Sequence, residues 1–109
     1  MNGKPVIPRD VAFVDVEDAV DYYTDAGGKS LALRFIAALN AAYTRVAQHP
    51  GAGSPRYEIA LGLDGLRFVT LRGFPYLVFY TEEPALIDVW RVLHAQRDLD
   101  AGMLPGDED

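Results

Sequence analysis

The sequence predicts an α+β fold: an N-terminal edge strand, then a helical hairpin packed on one face of a small, mainly antiparallel sheet, in the order β-α-α-β-β-β with a possible short C-terminal helix. Three observations carry this reading. Residues 10–48 repeat apolar side chains at helical spacing with a single interruption at Gly27-Gly28. Residues 66–93 hold three strand-like runs separated by gaps of hairpin length. The chain has 109 residues, 50% of them hydrophobic, which is enough for one core and too few for two.

Lys4-Pro5-Val6-Ile7-Pro8 reads as a short extended segment, and its two prolines, which cannot donate to a ladder, suit a sheet edge. The first helix is expected near residues 10–26. Ala12, Val16, Ala19, Val20 and Tyr23 share one face of it, with Asp15, Asp18, Asp21 and Asp25 round the other side. Gly27-Gly28 stops it. The second helix, near residues 29–48, aligns Leu31, Phe35, Leu39, Ala42 and Val46, with Ala32, Ile36 and Tyr43 beside them. His49-Pro50-Gly51 ends it, because proline lacks an amide hydrogen and disfavours helix in the residue before it. Residues 51–65 read as an irregular, glycine-rich connection. Strands follow at 66–71, 74–81 and 86–93, then a short helix over 96–103 and an acidic tail, 105–109.

In the third strand Tyr76, Val78 and Tyr80 alternate with Leu77 and Phe79; in the fourth, Ile87, Val89 and Leu93 alternate with Leu86, Trp90 and Val92. Both sheet faces are thus largely apolar, and the helical hairpin can cover one. The other needs either a partner or the C-terminal tail folded back, and the sequence leaves both open.

Composition narrows the chemistry. The absence of cysteine rules out disulfides, thiolate ligands and a thiol nucleophile. Two histidines without cysteine predict no metal site, and no cofactor motif appears. Gly51-Ala52-Gly53 is no phosphate loop, lacking both a preceding strand and a following Gly-Lys-Ser/Thr. No apolar run approaches the roughly 20 residues of a bilayer span, and no apolar leader follows Met1, so a soluble, cytoplasmic protein is expected. The net charge of −6 is unevenly placed: residues 26–97 hold eight Lys or Arg against five Asp or Glu, between two acidic segments.

The Leu66-Arg67 strand, the aromatic run Pro75-Tyr76-Leu77-Val78-Phe79-Tyr80 and the ending Arg91-Val92-Leu93-His94-Ala95-Gln96-Arg97-Asp98-Leu99 follow a helix closed by His49-Pro50-Gly51-Ala52-Gly53. In that succession they resemble the RelE/ParE superfamily of toxins from type II toxin-antitoxin systems, over about residues 5–104 of a single 1–109 domain. The resemblance implies a compact toxin held inactive by a cognate ParD-like antitoxin in a hetero-oligomer. It also implies one of two activities: RelE-like members cleave messenger RNA on the ribosome, whereas ParE-like members bind and inhibit DNA gyrase.

Arg67, Arg72, Tyr76, Tyr80, Trp90, Arg91, His94 and Arg97 are the candidates for contacting target or antitoxin. Metal-independent RNA cleavage would need a base, a transition-state cation and an acid, for which His94, Arg91 and Arg97 are the candidates. Ribonuclease members tend to carry an arginine just before the apolar run of the third strand, where this chain has Tyr76 after Pro75. The connection before the second strand is also poor in lysine. Both departures favour a ParE-like inhibitor that acts by binding and not as an enzyme. The alternatives are a RelE-like endoribonuclease and a non-toxic relative that only binds an antitoxin. Each candidate also has a plain structural role open to it: His94 as a strand cap, Arg91 as the ion-pair partner of Asp88 or Asp98, Trp90 and the tyrosines as packing.

Overall fold

The computed structural model describes residues 3–99. Strand β1 (Val6–Pro8) leads into a helical segment, α1 (Asp10–Gln48), whose regularity breaks at Gly28. There φ is 78° and ψ −177°, a conformation open in practice only to glycine. Twelve residues of straight helix would separate Tyr23 from Phe35 by about 18 Å, yet their ring centroids lie 5.3 Å apart. The segment is therefore a hairpin of two arms, residues 10–27 and 29–48, as the Gly27-Gly28 interruption implied. Gly28→Ala forces a side chain into that conformation and is expected to cost about 1–3 kcal/mol, measurable as a lowered urea midpoint at unchanged slope.

After a 3₁₀ turn (Pro50–Ala52) and a four-residue helix, α2 (Glu58–Leu61), come β2 (Arg67–Thr70), β3 (Tyr76–Glu82) and β4 (Ile87–His94). The sheet order is β1-β4-β3-β2, with β2-β3 and β3-β4 antiparallel and β1 parallel to β4. The proline-flanked strand does take an edge. Of the expected C-terminal helix over 96–103, residues 96–97 form a turn, 98 a bend and 99 no regular structure, while 100–103 lie outside the described residues, as does the acidic tail.

The hairpin buries Ala12, Ala19, Tyr23, Ala32, Phe35, Leu39, Ala42 and Val46 against Tyr76, Val78, Tyr80, Ile87, Val89 and Val92. Leu31, expected in the same line, is only half-buried. On the opposite sheet face Leu66, Leu77, Phe79 and Leu93 are buried under Tyr57, Leu61 and Leu63. The connection expected to be irregular is thus the lid of the second face, and Ser54 extends it by bridging to Phe68 at the edge of β2. Ala95 and Leu99, from the chain after β4, pack against the same cluster, so the connection and the folded-back end share that cover.

One feature of β4 departs from simple alternation. Phe79 pairs with Arg91 but Tyr80 pairs with Val89, leaving Trp90 as the extra residue of a bulge. A one-residue insertion exchanges faces for everything beyond it. Val92, not Leu93, therefore joins Val89 under the helices, and Leu93 goes to the lid side.

Candidate functional site

The strand β4 ends in a turn built by two of its own side chains. His94 Nδ1 accepts hydrogen bonds from the backbone N–H groups of Gln96 (3.1 Å) and Arg97 (3.0 Å). Asp98 closes the loop, its carboxylate accepting from the His94 N–H at 2.9 Å while its own N–H donates to the His94 carbonyl. Burial pulls the Asp98 carboxyl upward, but the His94 N–H and the Arg97 guanidinium outweigh it and hold it below the usual value.

This turn aims Arg97 back at the sheet. Its Nη2 donates to the Tyr76 hydroxyl and its Nε to Asp98, both at 3.2 Å, and its guanidinium stands 6.0 Å from the Tyr22 ring centroid. The Asp98 hydrogen bond, followed by that to Tyr76, raises the Arg97 pKa further. Beside it, Arg91 is gripped by Asp15 from the first helical arm: Nε to Oδ2 at 2.8 Å and Nη2 to Oδ1 at 2.9 Å. The same Oδ2 accepts the Val92 N–H at 3.0 Å. That hydrogen bond to Asp15 raises the Arg91 pKa. Nearby, burial foremost, with Asp15 adding to it, pushes the Tyr43 hydroxyl up to about 12.

Tyr76, Arg91 and Arg97 line one cavity of about 300 Å³ together with Asp15, Asp18 and Asp98. His94 borders it, its ring edge-on to Tyr76 with centroids 5.3 Å apart. Four of the eight candidate residues are thus gathered at the end of β4. The other four are not. Tyr80 is fully buried and donates its hydroxyl to the Pro50 carbonyl, so it belongs to the core and has no surface to offer a partner. Arg67 donates to the Gly53 carbonyl at 2.8 Å, tying the connection to β2. Trp90 donates Nε1 to the Thr81 hydroxyl and lies under the Arg9 guanidinium, 3.9 Å from its ring centroid, near the opposite edge. Arg72 is exposed in the turn after β2.

The acids of the cavity were not singled out in the sequence. The helical period alone puts Asp15 on the solvated side of its helix, and sequence proximity offers Arg91 the partners Asp88 and Asp98. The signal was present: Asp15 stands three residues after Ala12 and four before Ala19, both buried, which turns it toward the sheet. Asp88 pairs with Arg9 instead.

The chemistry of this arrangement is that of a rigid polar platform. Both guanidiniums already hold carboxylates, and three acids stand against two arginines around the cavity. The Nδ1 of His94 is committed to the backbone, so only Nε2 could exchange a proton with a ligand. No group of three or more His, Cys, Asp or Glu able to hold a metal ion occurs among the described residues.

Residues 6–99 match the family model described as the ParE toxin of the type II toxin-antitoxin system parDE. Among solved structures, the fold is similar to one titled as the chromosomal ParDE TA system from P. aeruginosa, with a TM-score of 0.72 and 20% identity over 85% of this chain and 97% of that one. No curated protein matches the chain.

Proposed function

Because the chain belongs to the ParE family of toxins from type II toxin-antitoxin systems, we propose that it poisons its cell by binding DNA gyrase, that it catalyses no reaction of its own, and that a cognate antitoxin neutralises it. The observation that carries this reading is the paired state of the polar cluster. A nuclease of this shape would have to present an uncommitted cation to the scissile phosphate and a base to the 2′-hydroxyl. Here Arg91 is held bidentately by Asp15, Arg97 by Asp98 and Tyr76, and His94 by its own turn. An excess of carboxylates also repels a phosphate backbone. Such a platform suits contact with a protein surface, where preset side chains lower the cost of ordering on binding.

No helix among the described residues is long and apolar enough to cross a membrane. Action on gyrase places the protein in the compartment that holds the chromosome, which the reading takes to be the cytoplasm.

The deciding experiment adds the purified protein to gyrase and relaxed plasmid, and separately to programmed ribosomes. Loss of supercoiling with intact messenger RNA is the expected result; codon-phased RNA cleavage without effect on supercoiling would overturn the reading. His94→Ala sharpens it. Removing the acceptor of two backbone N–H groups is expected to cost about 1–3 kcal/mol of stability, read by thermal melting, while toxicity on induction persists. A general acid-base catalyst would instead lose about 10²- to 10⁴-fold in cleavage.

A further inference from the structure

A second groove, which shares no lining residue with the Tyr76-Arg97 cavity, lies between the end of the second helical arm and the outer edge of β2. It encloses about 490 Å³ and wraps the edge of β2, where the apolar Ala52, Phe68 and Val69 line it together with Arg45, His49 and Arg72, Val69 on the helix side of the sheet and Phe68 on the other; no carboxylate lines it. In a chain of net charge −6 this is a local reversal of sign. Arg72 is exposed and makes no hydrogen bond or ion pair among the described residues. Arg45 uses Nη2 to donate to the Thr70 carbonyl at 2.8 Å, but its Nη1 is buried with no hydrogen-bond partner among them. A guanidinium nitrogen left so is costly, and a carboxylate is the partner that best relieves it.

We propose that this groove is where the antitoxin is read, and that it takes an acidic segment carrying an apolar side chain: the apolar group covers Phe68 and Val69, and a neighbouring Asp or Glu meets Arg72 and Arg45. This rests on the toxin-antitoxin reading and adds to it the site and the chemistry of the partner. Both halves of the specification come from the groove. A nucleic-acid backbone would satisfy the arginines but leave the apolar lining uncovered, and a purely apolar peptide would bury the guanidiniums unpaired. The strand edge itself is largely occupied, since Phe68 exchanges both backbone hydrogen bonds with Ser54 and the Thr70 carbonyl is held by Arg45. Recognition here therefore falls to side chains, and with it the choice among antitoxins: a segment with Lys in place of the acid is repelled.

The test titrates the purified cognate antitoxin against the wild type and three variants, by calorimetry at low and high salt. Arg72→Glu, at an exposed turn, is expected to weaken binding about 10- to 100-fold and to flatten its salt dependence. Arg45→Met keeps the stem but removes the guanidinium and is expected to act in the same direction; its melting curve reports folding separately. Arg34→Glu, the same charge change on the exposed side of the second arm, is expected to leave affinity within about twofold. Wild-type affinity in Arg72→Glu would overturn the groove assignment while leaving the toxin-antitoxin reading intact. A wild-type chain that binds no antitoxin would overturn both. Loss of gyrase inhibition in Arg72→Glu with antitoxin affinity unchanged would give the groove to the target and also overturn the proposal.

Discussion

Asp15→Ala is expected to destabilise the protein by about 3 kcal/mol, at the lower end of what breaking a buried ion pair costs, and so to lower its melting temperature by on the order of 15 °C. The Arg91 and Asp15 side chains are only 15% and 12% exposed, so the substitution strands a guanidinium where water reaches it poorly. It also removes the acceptor of the Val92 N–H, next to the bulge that sets the register of β4. Asp15→Asn separates the two losses: an amide oxygen can still accept from Val92 N–H but carries no charge for Arg91. Thermal melting of both variants, with Arg91→Ala and the double substitution to close the cycle, gives the coupling. Coupling below about 0.5 kcal/mol, the value typical of exposed pairs, would show that the pair is solvated and the platform loose. If the platform contacts gyrase, Asp15→Asn also lowers inhibition, since Arg91 loses its fixed orientation.

Local signals in the sequence were enough for the fold and not for the site. The hairpin could be read because Gly27-Gly28 interrupts a helical period that both arms otherwise keep, and the β3 faces because Tyr76, Val78 and Tyr80 alternate strictly with Leu77 and Phe79. The faces at the end of β4 could not. A bulge at Trp90 adds one residue with no mark in composition, and everything after it changes sides. The lid escaped for a related reason: Tyr57, Leu61 and Leu63 have no sustained period, because α2 is only four residues long, and their burial comes from the sheet beneath them.

The cluster of Tyr76, Arg91, His94 and Arg97 was legible because three of its members follow one another within a single strand end and turn. Its acids were not, because Asp15 is 76 positions from Arg91 and the two meet only once the hairpin lies on the sheet. Tyr80, open from the sequence to a partner contact, is instead fully buried, for the opposite reason. An aromatic in an apolar strand can face a partner or the core, and the hydrogen bond to Pro50 that commits it to the core crosses 30 residues.

Phe35→Ala is expected to have the largest effect of any single truncation in the second arm, about 3–5 kcal/mol. Phe35 is fully buried, and its ring stands 5.3 Å from Tyr23, 5.4 Å from Phe74 and 5.2 Å from Tyr76, centroid to centroid. The contacts with Phe74 and Tyr76 are edge-on, at interplanar angles of 90° and 72°, an arrangement that adds to the area buried. One ring thus fastens the second arm to the first and both to β3. Removing it leaves a cavity walled by three large side chains that cannot close without moving the arms. Leu33→Ala, two residues away but 52% exposed, is expected to stay within about 0.5 kcal/mol, which makes the pair a test of the packing and not of helix propensity. The consequence reaches the site, because Tyr76 is both a wall of that cavity and the acceptor of Arg97 Nη2. At the lower end of the usual range of about 5–15 kcal/mol, a loss of this size populates the unfolded state. A partner that binds only the folded form, at a hundred times its dissociation constant, restores about 2.7 kcal/mol. Phe35→Ala should therefore be recovered largely folded when co-expressed with the antitoxin and poorly when expressed alone. A variant that melts within about 1 kcal/mol of the wild type would mean that Phe35 does not sit at the centre of the hairpin-sheet interface.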